Sequence, residues 1–246
     1  MKNIAGVDGC KSGWIAFYFD GAMWSSRLYS TIDKLFEAID SKLILIDVPI
    51  GLRSNEQFER LCDVEARKKL NQRKSSVFPA PSRLALGYDE YSEASRINRK
   101  STGRGLSKQS FAIIPKVREV DTFIQSEAYC ASKKKIREVH PEICFWGLNG
   151  SSEMKHKKKD TLGRWERMHL LKQYLPEVDD LFSEARRKYK KKDVADDDII
   201  DALCCAITAM HGDVLSTIPV SPEEDNNGIP MEIVYYDAKQ SLQRTR

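Results

Sequence analysis

The chain has 246 residues, of which 41% are hydrophobic and 31% charged, and its formal net charge is +4. This length suffices for a substantial core in one large or two small domains, and the composition excludes a disordered or fibrous chain. No apolar run approaches the ~20 residues of a membrane-spanning helix, and the N-terminus lacks the apolar stretch of a signal peptide, so no contact with a membrane is expected.

The first thirty residues predict three strands joined by tight turns. The first covers 3–8, the second 13–20 is rich in aromatic and β-branched residues, and the third covers 23–30 after an Asp-Gly hairpin signal. Asp8 stands at the end of the first strand, directly before a basic, glycine-containing turn. A buried carboxylate without a partner costs several kcal/mol or takes up a proton, so Asp8 requires an explanation.

A helix and another buried strand follow. Thr31 is a suitable N-cap for a helix over 32–41. The next run, LILIDVPIGL, is nearly continuous in apolar residues and is typical of a strand buried on both faces, with Asp47 near its end. Three meandering strands, a helix and a buried strand resemble the beginning of an RNase H-like fold. We therefore predict an α/β protein with an RNase H-like mixed β-sheet flanked by helices.

Residues 53–132 interrupt this pattern, because they predict mostly helix and loop. They contain the amphipathic run FERLCDVEARKKL, a break at Pro79 and Pro81, and a polar loop at 98–109. We predict a helical insertion, or subdomain, after the fourth strand of a single domain that spans 1–246.

The remaining chain alternates again between strand and helix. A strand over 136–140 leads into the sequence His140-Pro141-Glu142, and an Asn-Gly pair predicts an edge hairpin in the tail. Three helices are expected between them, over 161–174, 177–190 and 195–211.

The last of these helices brings further carboxylates. Asp198 and Asp201 are three residues apart and therefore share a helix face. Asp196 and Asp197 lie in the first turn, where the helix dipole favours negative charge, so N-terminal charge and capping explain them. Asp201 lies deeper in an apolar helix and lacks that explanation.

Convergence of these acids with the strand acids would create a cation site, because like charges so close cannot all ionise unaided. Hard oxygen ligands favour Mg²⁺ or Mn²⁺ over zinc. Two such ions about 4 Å apart activate a water molecule and stabilise the leaving oxygen of a phosphoryl displacement. The predicted metal ligands are Asp8, Asp47, Asp198 and Asp201.

Basic residues are concentrated in four runs, at 67–74, 133–137, 155–159 and 186–192. Solvated helix faces explain such runs, but four of them in one chain favour a phosphate-rich partner, DNA or RNA.

The six cysteines show neither a CxxC pair nor Cys/His spacing suited to zinc. Cys204 and Cys205 adjoin each other in an apolar helical pattern, which favours small core residues. A chain without a disulfide pattern suits a reducing compartment, so we expect a cytoplasmic protein.

Several motifs together resemble the uncharacterised family of predicted RNase H-like nucleases (domain of unknown function 429), over about residues 4–211. The motifs are GVDGCKSGW, IDVPIGL, RKSSVFPAPSRLAL, LSKQSFAIIPKVREVD, EVHPEICF and DDIIDAL. Similarity to RuvC-type resolvases in the same superfamily implies that Asp8 is the acid of the first strand. It implies that Asp47 is the acid of the fourth strand, where the resolvases carry glutamate. The D-x-x-D-A pattern of the last helix matches Asp198 and Asp201.

Glu142, in the sequence HPE, is the acid particular to this family, and two roles remain open for it. It is either a further ligand or water-positioning base, or a carboxylate paired with Arg137 or a lysine. His140 is likewise either a proton shuttle or a strand-end histidine bonded to the backbone. Residues predicted to contact substrate are Lys11, Arg83, Lys108, Lys116 and Lys158, and the predicted catalytic set is Asp8, Asp47, Glu142, Asp198 and Asp201.

The leading functional hypothesis is a metal-dependent nuclease, a hydrolase that cleaves DNA or RNA by a two-metal mechanism. One alternative is an ATPase or kinase of the actin-like group, with Asp8, Gly9 and Gly13 under the ATP phosphates. Its weaknesses are a chain short for two lobes and no convincing second phosphate loop. Another is a non-catalytic nucleic-acid-binding module that keeps the acidic shell. Charge patterning does not separate DNA from RNA, and resolvase-like proteins often pair, which leaves a homodimer open.

Overall fold

The computed structural model describes residues 3–240, which divide into two compact units. The first unit comprises 3–47, 131–216 and 234–240, and the second comprises 48–130 and 217–233. The strands are β1 (Ile4–Cys10), β2 (Gly13–Phe19), β3 (Trp24–Tyr29), β4 (Leu43–Ile46), β5 (Lys135–Glu138), β6 (Ser216–Glu224) and β7 (Pro230–Tyr235). The α-helices are α1 (Ile32–Ala38), α2 (Leu61–Lys69), α3 (Tyr91–Thr102), α4 (Lys108–Ala112), α5 (Ile114–Ile124), α6 (Glu127–Cys130), α7 (Pro141–Leu148), α8 (Thr161–Lys172), α9 (Val178–Lys188) and α10 (Asp196–Met210).

The first unit is built on a five-stranded mixed sheet in the order β3-β2-β1-β4-β5. The three N-terminal strands are antiparallel neighbours, whereas β1, β4 and β5 run parallel. With its flanking helices this sheet confirms the predicted mixed α/β class. Helix α1 ends at Ala38, short of the predicted 41, because Ile39 turns to an extended backbone conformation. Thr31 is the N-cap residue, as predicted, although its side chain makes no capping hydrogen bond.

Helix α10 packs against β1. Its long apolar sequence is explained by the burial of most of the helix. Every residue from Ile199 to Ala209 is buried, which confirms Cys204 and Cys205 as small core residues. Gly6, in the middle of β1, allows this contact: a Cβ atom there would lie 1.9 Å from the backbone nitrogen of Ala206. The first strand and the last long helix therefore meet backbone to backbone.

The second unit contains α2 to α6, two 3₁₀ segments (Asn71–Ser76 and Arg83–Gly87) and most of the hairpin formed by β6 and β7. The hairpin turn contains Asn227 and Gly228, as predicted, and Gly228 adopts a left-handed φ of 73°. Asp225 anchors the turn, since its Oδ2 accepts hydrogen bonds from the backbone N–H of Leu52 and from Arg83. No helix within residues 3–240 combines the length and apolarity needed to cross a membrane.

Candidate acidic site

Two strand carboxylates lie side by side where β1 and β4 approach their carboxyl ends. Val7 pairs with Ile46 in the parallel register, and Asp8 and Asp47 are the next residues along the two chains. The backbone N–H of Asp47 donates to the carbonyl oxygen of Val7 at 3.0 Å, which continues the pairing beyond β4. Because residues in parallel register project from the same face of a sheet, the two side chains are neighbours.

Helix α10 brings Asp201 to the same place. The helix crosses β1 where Gly6 meets Cys205 and Ala206. Asp201 precedes Cys205 by about 6 Å along the helix axis, and Asp8 follows Gly6 by about 7 Å along the strand. These matched displacements carry Asp201 and Asp8 to one pocket. Asp8 and Asp201 are 7% and 4% exposed, so both carboxylates are buried.

The acids of this pocket, Asp8, Asp47, Asp198 and Asp201, perturb one another. Burial raises the pKa of Asp8 well above its ordinary value, and the charges of the other three raise it further. Burial, followed by the charge of Asp201, raises the pKa of Asp47 to about 7. The pKa of Asp201 is also raised by burial, although the ammonium of Lys158 opposes that shift. We refer to these four residues as the acidic pocket.

The three successive aspartates in the first turn of α10 make different contacts. Asp198 makes the capping contact, since its Oδ2 accepts a hydrogen bond from the backbone N–H of Ala195 at 2.8 Å. Burial nevertheless raises its pKa. Asp196 instead forms ion pairs at 2.8–3.0 Å with Arg164, Arg186 and Lys191. Asp196 and Asp197 thus lie in the first turn, as predicted, but the capping contact expected of them is made by Asp198.

One cation enters the acidic pocket from the loop before α8. The Nζ of Lys158 donates to Oδ2 of Asp201 at 2.9 Å and lies 3.9 Å from Oδ2 of Asp197. The charge of Asp201, with smaller contributions from Asp8 and Asp47, raises the pKa of Lys158, and the partial loss of hydration of the ammonium group opposes that shift. Lys158, predicted as a substrate contact, is thus the positive partner of the buried acids.

Glu142 is held in a buried ion pair with Arg167. The NH2 group of Arg167 donates to Oε1 of Glu142, and the two side chains are only 1% and 8% exposed. Arg167 also donates through NH1 to the carbonyl oxygens of His156 and Gly163, both at 3.1 Å. The pairing alternative for Glu142 therefore applies, with Arg167 as the partner instead of Arg137 or a lysine. Its charge still reaches the pocket, where it raises the pKa of Asp201.

The predicted catalytic residues thus all belong to the first unit, whereas the predicted substrate contacts are divided. Lys11 is exposed in the turn that follows β1, three residues beyond Asp8. Arg83, Lys108 and Lys116 belong to the second unit. Arg83 forms ion pairs with Asp121 and Asp225 at 2.8 and 2.6 Å. The Nζ of Lys108 lies 3.4 Å from the centre of the Tyr91 ring, and Lys116 is half-buried on α5.

The donor chemistry of the acidic pocket suits a hard divalent cation, because it offers carboxylate oxygens with an excess of negative charge. An ammonium group already stands among them as a positive counterpart. Within residues 3–240, however, no three acidic, histidine or cysteine side chains are placed so that they could jointly hold a metal ion. A shared ion would therefore require these carboxylates to turn toward one another.

Sequence reasoning did not find Arg167 or Gly6. Arg167 lies in GRWER beside another arginine, and only the apolar residues Leu170 and Leu171 mark its helix face as the inner one. Gly6 is a glycine within a strand. Such a glycine indicates that another backbone segment comes close, but the sequence does not say which segment it is.

The fold and the site define a mixed α/β protein whose acidic pocket lies beside the ends of two parallel strands and under the last long helix. The chain belongs to the family described as Protein of unknown function (DUF429), whose family model matches residues 6–224. No curated protein and no solved structure matches it.

Proposed function

We propose that this protein is a metal-dependent phosphodiesterase that cleaves DNA or RNA. The observation that carries the proposal is the gathering of carboxylates from β1, the end of β4 and α10 in one pocket, together with the ammonium group of Lys158. Buried like charges destabilise a folded protein, so an arrangement of this kind is more often functional than structural. Divalent cations bound by carboxylates are a common solution for phosphodiester hydrolysis.

The chain order of the first unit supports an RNase H-like assignment. A three-stranded antiparallel meander, a helix and a parallel fourth strand are the expected opening of that fold, and the next strand to join the sheet is β5. On this assignment residues 53–132 are an insertion between the fourth and fifth strands. The acids of the first strand, the fourth strand and the last helix then occupy the positions that the resemblance assigns to metal ligands.

In this proposal Asp8, Asp47 and Asp201 would hold Mg²⁺ or Mn²⁺ through their carboxylate oxygens once their side chains turn toward a common ion, and Asp198 would contribute from the first turn of α10. Bound ions would supply an activated water and stabilise the leaving oxygen. Lys158 gives up its contact with Asp201 and turns its ammonium to the substrate phosphate. The burial of Asp8 and Asp201 keeps bulk water from the carboxylates, which strengthens every charge interaction in the pocket.

Glu142 serves as a positioning residue. Through Arg167 it connects α7 to α8, and Arg167 also bonds to the backbone at His156, two residues before Lys158. This chain of contacts sets the position of the loop that delivers the ammonium. Glu142 therefore acts through Arg167 and not on the reacting phosphate.

The test is a cleavage screen with single-stranded DNA, duplex DNA and RNA in the presence of Mn²⁺ or Mg²⁺. The wild type is expected to cleave at least one of them, and Asp8→Asn and Asp47→Asn are expected to lose the activity. Asp40→Asn, an exposed carboxylate near the other end of β4, is the matched control and should cleave normally. A wild type that cuts none of these substrates, or an Asp47→Asn variant that cuts equally well, would refute the proposal.

One observation favours a second candidate, a non-catalytic nucleic-acid-binding module. The ammonium group of Lys158 already gives Asp201 a positive partner from the chain itself, and no three of the described acids are placed to hold one ion jointly. The two candidates differ in a titration with Mn²⁺ followed by thermal unfolding. The phosphodiesterase gains stability as the ion is added, by about 2.7 kcal/mol at one hundred times the Kd, whereas the module gains none.

A further inference from the structure

Helix α8 presents an aromatic surface that no step of the proposed cleavage uses. Trp165 is 64% exposed and Leu162 is 60% exposed, although residues of this size are usually covered. The imidazole of His169 stacks on the indole of Trp165, with ring centres 5.0 Å apart and an angle of 9° between the planes. The indole is thereby held at a fixed orientation with much of its surface open. We call Leu162, Trp165 and His169 the α8 platform.

The platform is physically continuous with the loop that reaches the acidic pocket. Gly163, on the inner side of α8, lies so close to this loop that a Cβ atom there would be 1.8 Å from the carbonyl oxygen of Lys157. Glu166 accepts hydrogen bonds from the backbone N–H groups of Lys155 and His156 at 2.8 and 3.0 Å. Loop and helix are thus joined by backbone contacts, and Lys158 extends from the same loop to Asp201.

The loop that adjoins the platform carries exposed lysines, and the exposed Asp160 lies between this loop and α8. Lys155, Lys157 and Lys159 are exposed to solvent, while the carboxylate of Glu166 is turned toward the loop backbone. The surface therefore combines an exposed aromatic ring, stacked on His169, with exposed lysines on the adjoining loop. This combination matches an unpaired nucleobase and the phosphates attached to it, because every base has a face that stacks and every linkage carries a charge.

We propose that the α8 platform binds single-stranded nucleic acid, with one unpaired base stacked on Trp165 and neighbouring phosphates held by Lys157 and Lys159. This inference rests on the proposed function, since it names the substrate class of the acidic pocket. A duplex keeps its bases stacked on one another and offers only phosphates to this surface. The platform therefore selects a strand that is unpaired at the position next to the pocket.

The experiment measures binding without cleavage. Fluorescence anisotropy of a labelled oligothymidylate and of a labelled duplex of the same length is recorded with the full chain in EDTA. Trp165→Ala is expected to weaken binding of the single strand by about 5- to 150-fold, the range for loss of one base–aromatic stack. Binding of the duplex should change by less than about 2-fold, and Trp165→Phe should retain most of the single-strand affinity because it keeps an aromatic face.

Lysine variants test the phosphate contacts separately. The double variant Lys157→Gln/Lys159→Gln should reduce the slope of log affinity against log salt by about 1.4 for the single strand, roughly 0.7 for each lost contact. Lys42→Gln, exposed before the opposite end of β4, is the control and should leave the slope unchanged. Circular dichroism of each variant verifies that the fold is intact, since both substitutions lie on the exposed surface.

Three outcomes would overturn the proposal. One is equal single-strand affinity of the wild type and Trp165→Ala, and another is an equal loss for single strand and duplex. The third is a wild-type dimer that Trp165→Ala converts to a monomer in light scattering, because the platform would then be covered by a second copy. Failure of the proposed function gives a different result. The wild type would then bind the oligonucleotide in EDTA through Trp165 but cleave nothing with Mn²⁺.

Discussion

Replacement of Asp47 by asparagine is expected to stabilise the metal-free protein at alkaline pH, although it removes a residue of the proposed active site. The folded protein raises the pKa of Asp47 from 3.8 to about 7. A carboxyl group whose pKa is higher in the folded state favours folding at low pH relative to high pH. This contribution is complete below pH 3.8 and is lost as the pH rises through about 7. Asparagine has a similar shape and no charge, so it avoids that loss.

The size of the effect follows from the two pKa values. The shift corresponds to about 4 kcal/mol of unfolding free energy, and the partial exposure of Asp47 reduces this to roughly 2–4 kcal/mol at pH 8. At pH 4.5, where the folded carboxyl group is mostly protonated, we expect a difference of about 1 kcal/mol or less. For a chain of this size the gain at pH 8 raises Tm by about 4–16 °C.

The assay is thermal unfolding of the wild type, Asp47→Asn and the control Asp40→Asn at pH 4.5 and pH 8, all in EDTA. Asp40→Asn should stay within about 0.5 kcal/mol of the wild type at both pH values, as exposed substitutions usually do. Addition of Mn²⁺ at pH 8 should then stabilise the wild type but not Asp47→Asn. An Asp47→Asn variant that is no more stable than the wild type at pH 8 would show that Asp47 bears no repulsion from its neighbours.

Three further substitutions test other contacts of the pocket. Lys158→Met should lower the stability of the metal-free protein by about 1–3 kcal/mol at pH 8, because the buried Asp201 loses its ion-pair partner. It should also tighten Mn²⁺ binding in titration calorimetry, and a weaker or unchanged affinity would contradict competition between the ammonium group and the ion. Glu142→Gln should lower the free energy of unfolding in denaturant by about 3–5 kcal/mol, because Arg167 stays charged and buried without its partner. Addition of Arg167→Met should recover much of that loss. A purely catalytic glutamate would leave stability unchanged. Gly6→Ala should lower the free energy of unfolding by about 3 kcal/mol or more and impair Mn²⁺ binding, because backbone atoms of α10 cannot rotate away from the new Cβ. The control Gly87→Ala should be tolerated, because no atom lies within 4 Å of a Cβ built there.

Local patterns predicted the elements of the first unit well, because its strands and α10 carry strong periodicities. The alternation and β-branched content of 13–20 correspond to β2 at Gly13–Phe19, and the apolar run at 195–211 corresponds to α10 at Asp196–Met210. The acids were recognisable for a related reason: a charge at the end of an apolar run is conspicuous.

Partners of those acids were harder to predict, because they are decided by tertiary contacts. The run KHKKK contains four lysines that the sequence does not distinguish, yet only Lys158 is directed to Asp201. Glu142 pairs with an arginine 25 positions away, and the choice between Arg137 and Arg167 depends on the packing of α7 and α8. The metal, the RNase H-like assignment and the insertion at 53–132 stay predictions.

The contact between Gly6 and Ala206 determines when the acidic pocket is completed during folding. Asp8 and Asp47 are brought together by the pairing of β1 with β4, whereas Asp201 joins them only when α10 packs on β1. Until α10 docks, the pocket contains only the two strand carboxylates, without Asp201. Docking of this one helix is therefore the folding step that completes the acidic pocket, and a substitution that loosens the contact disturbs the pocket without touching any of its acids.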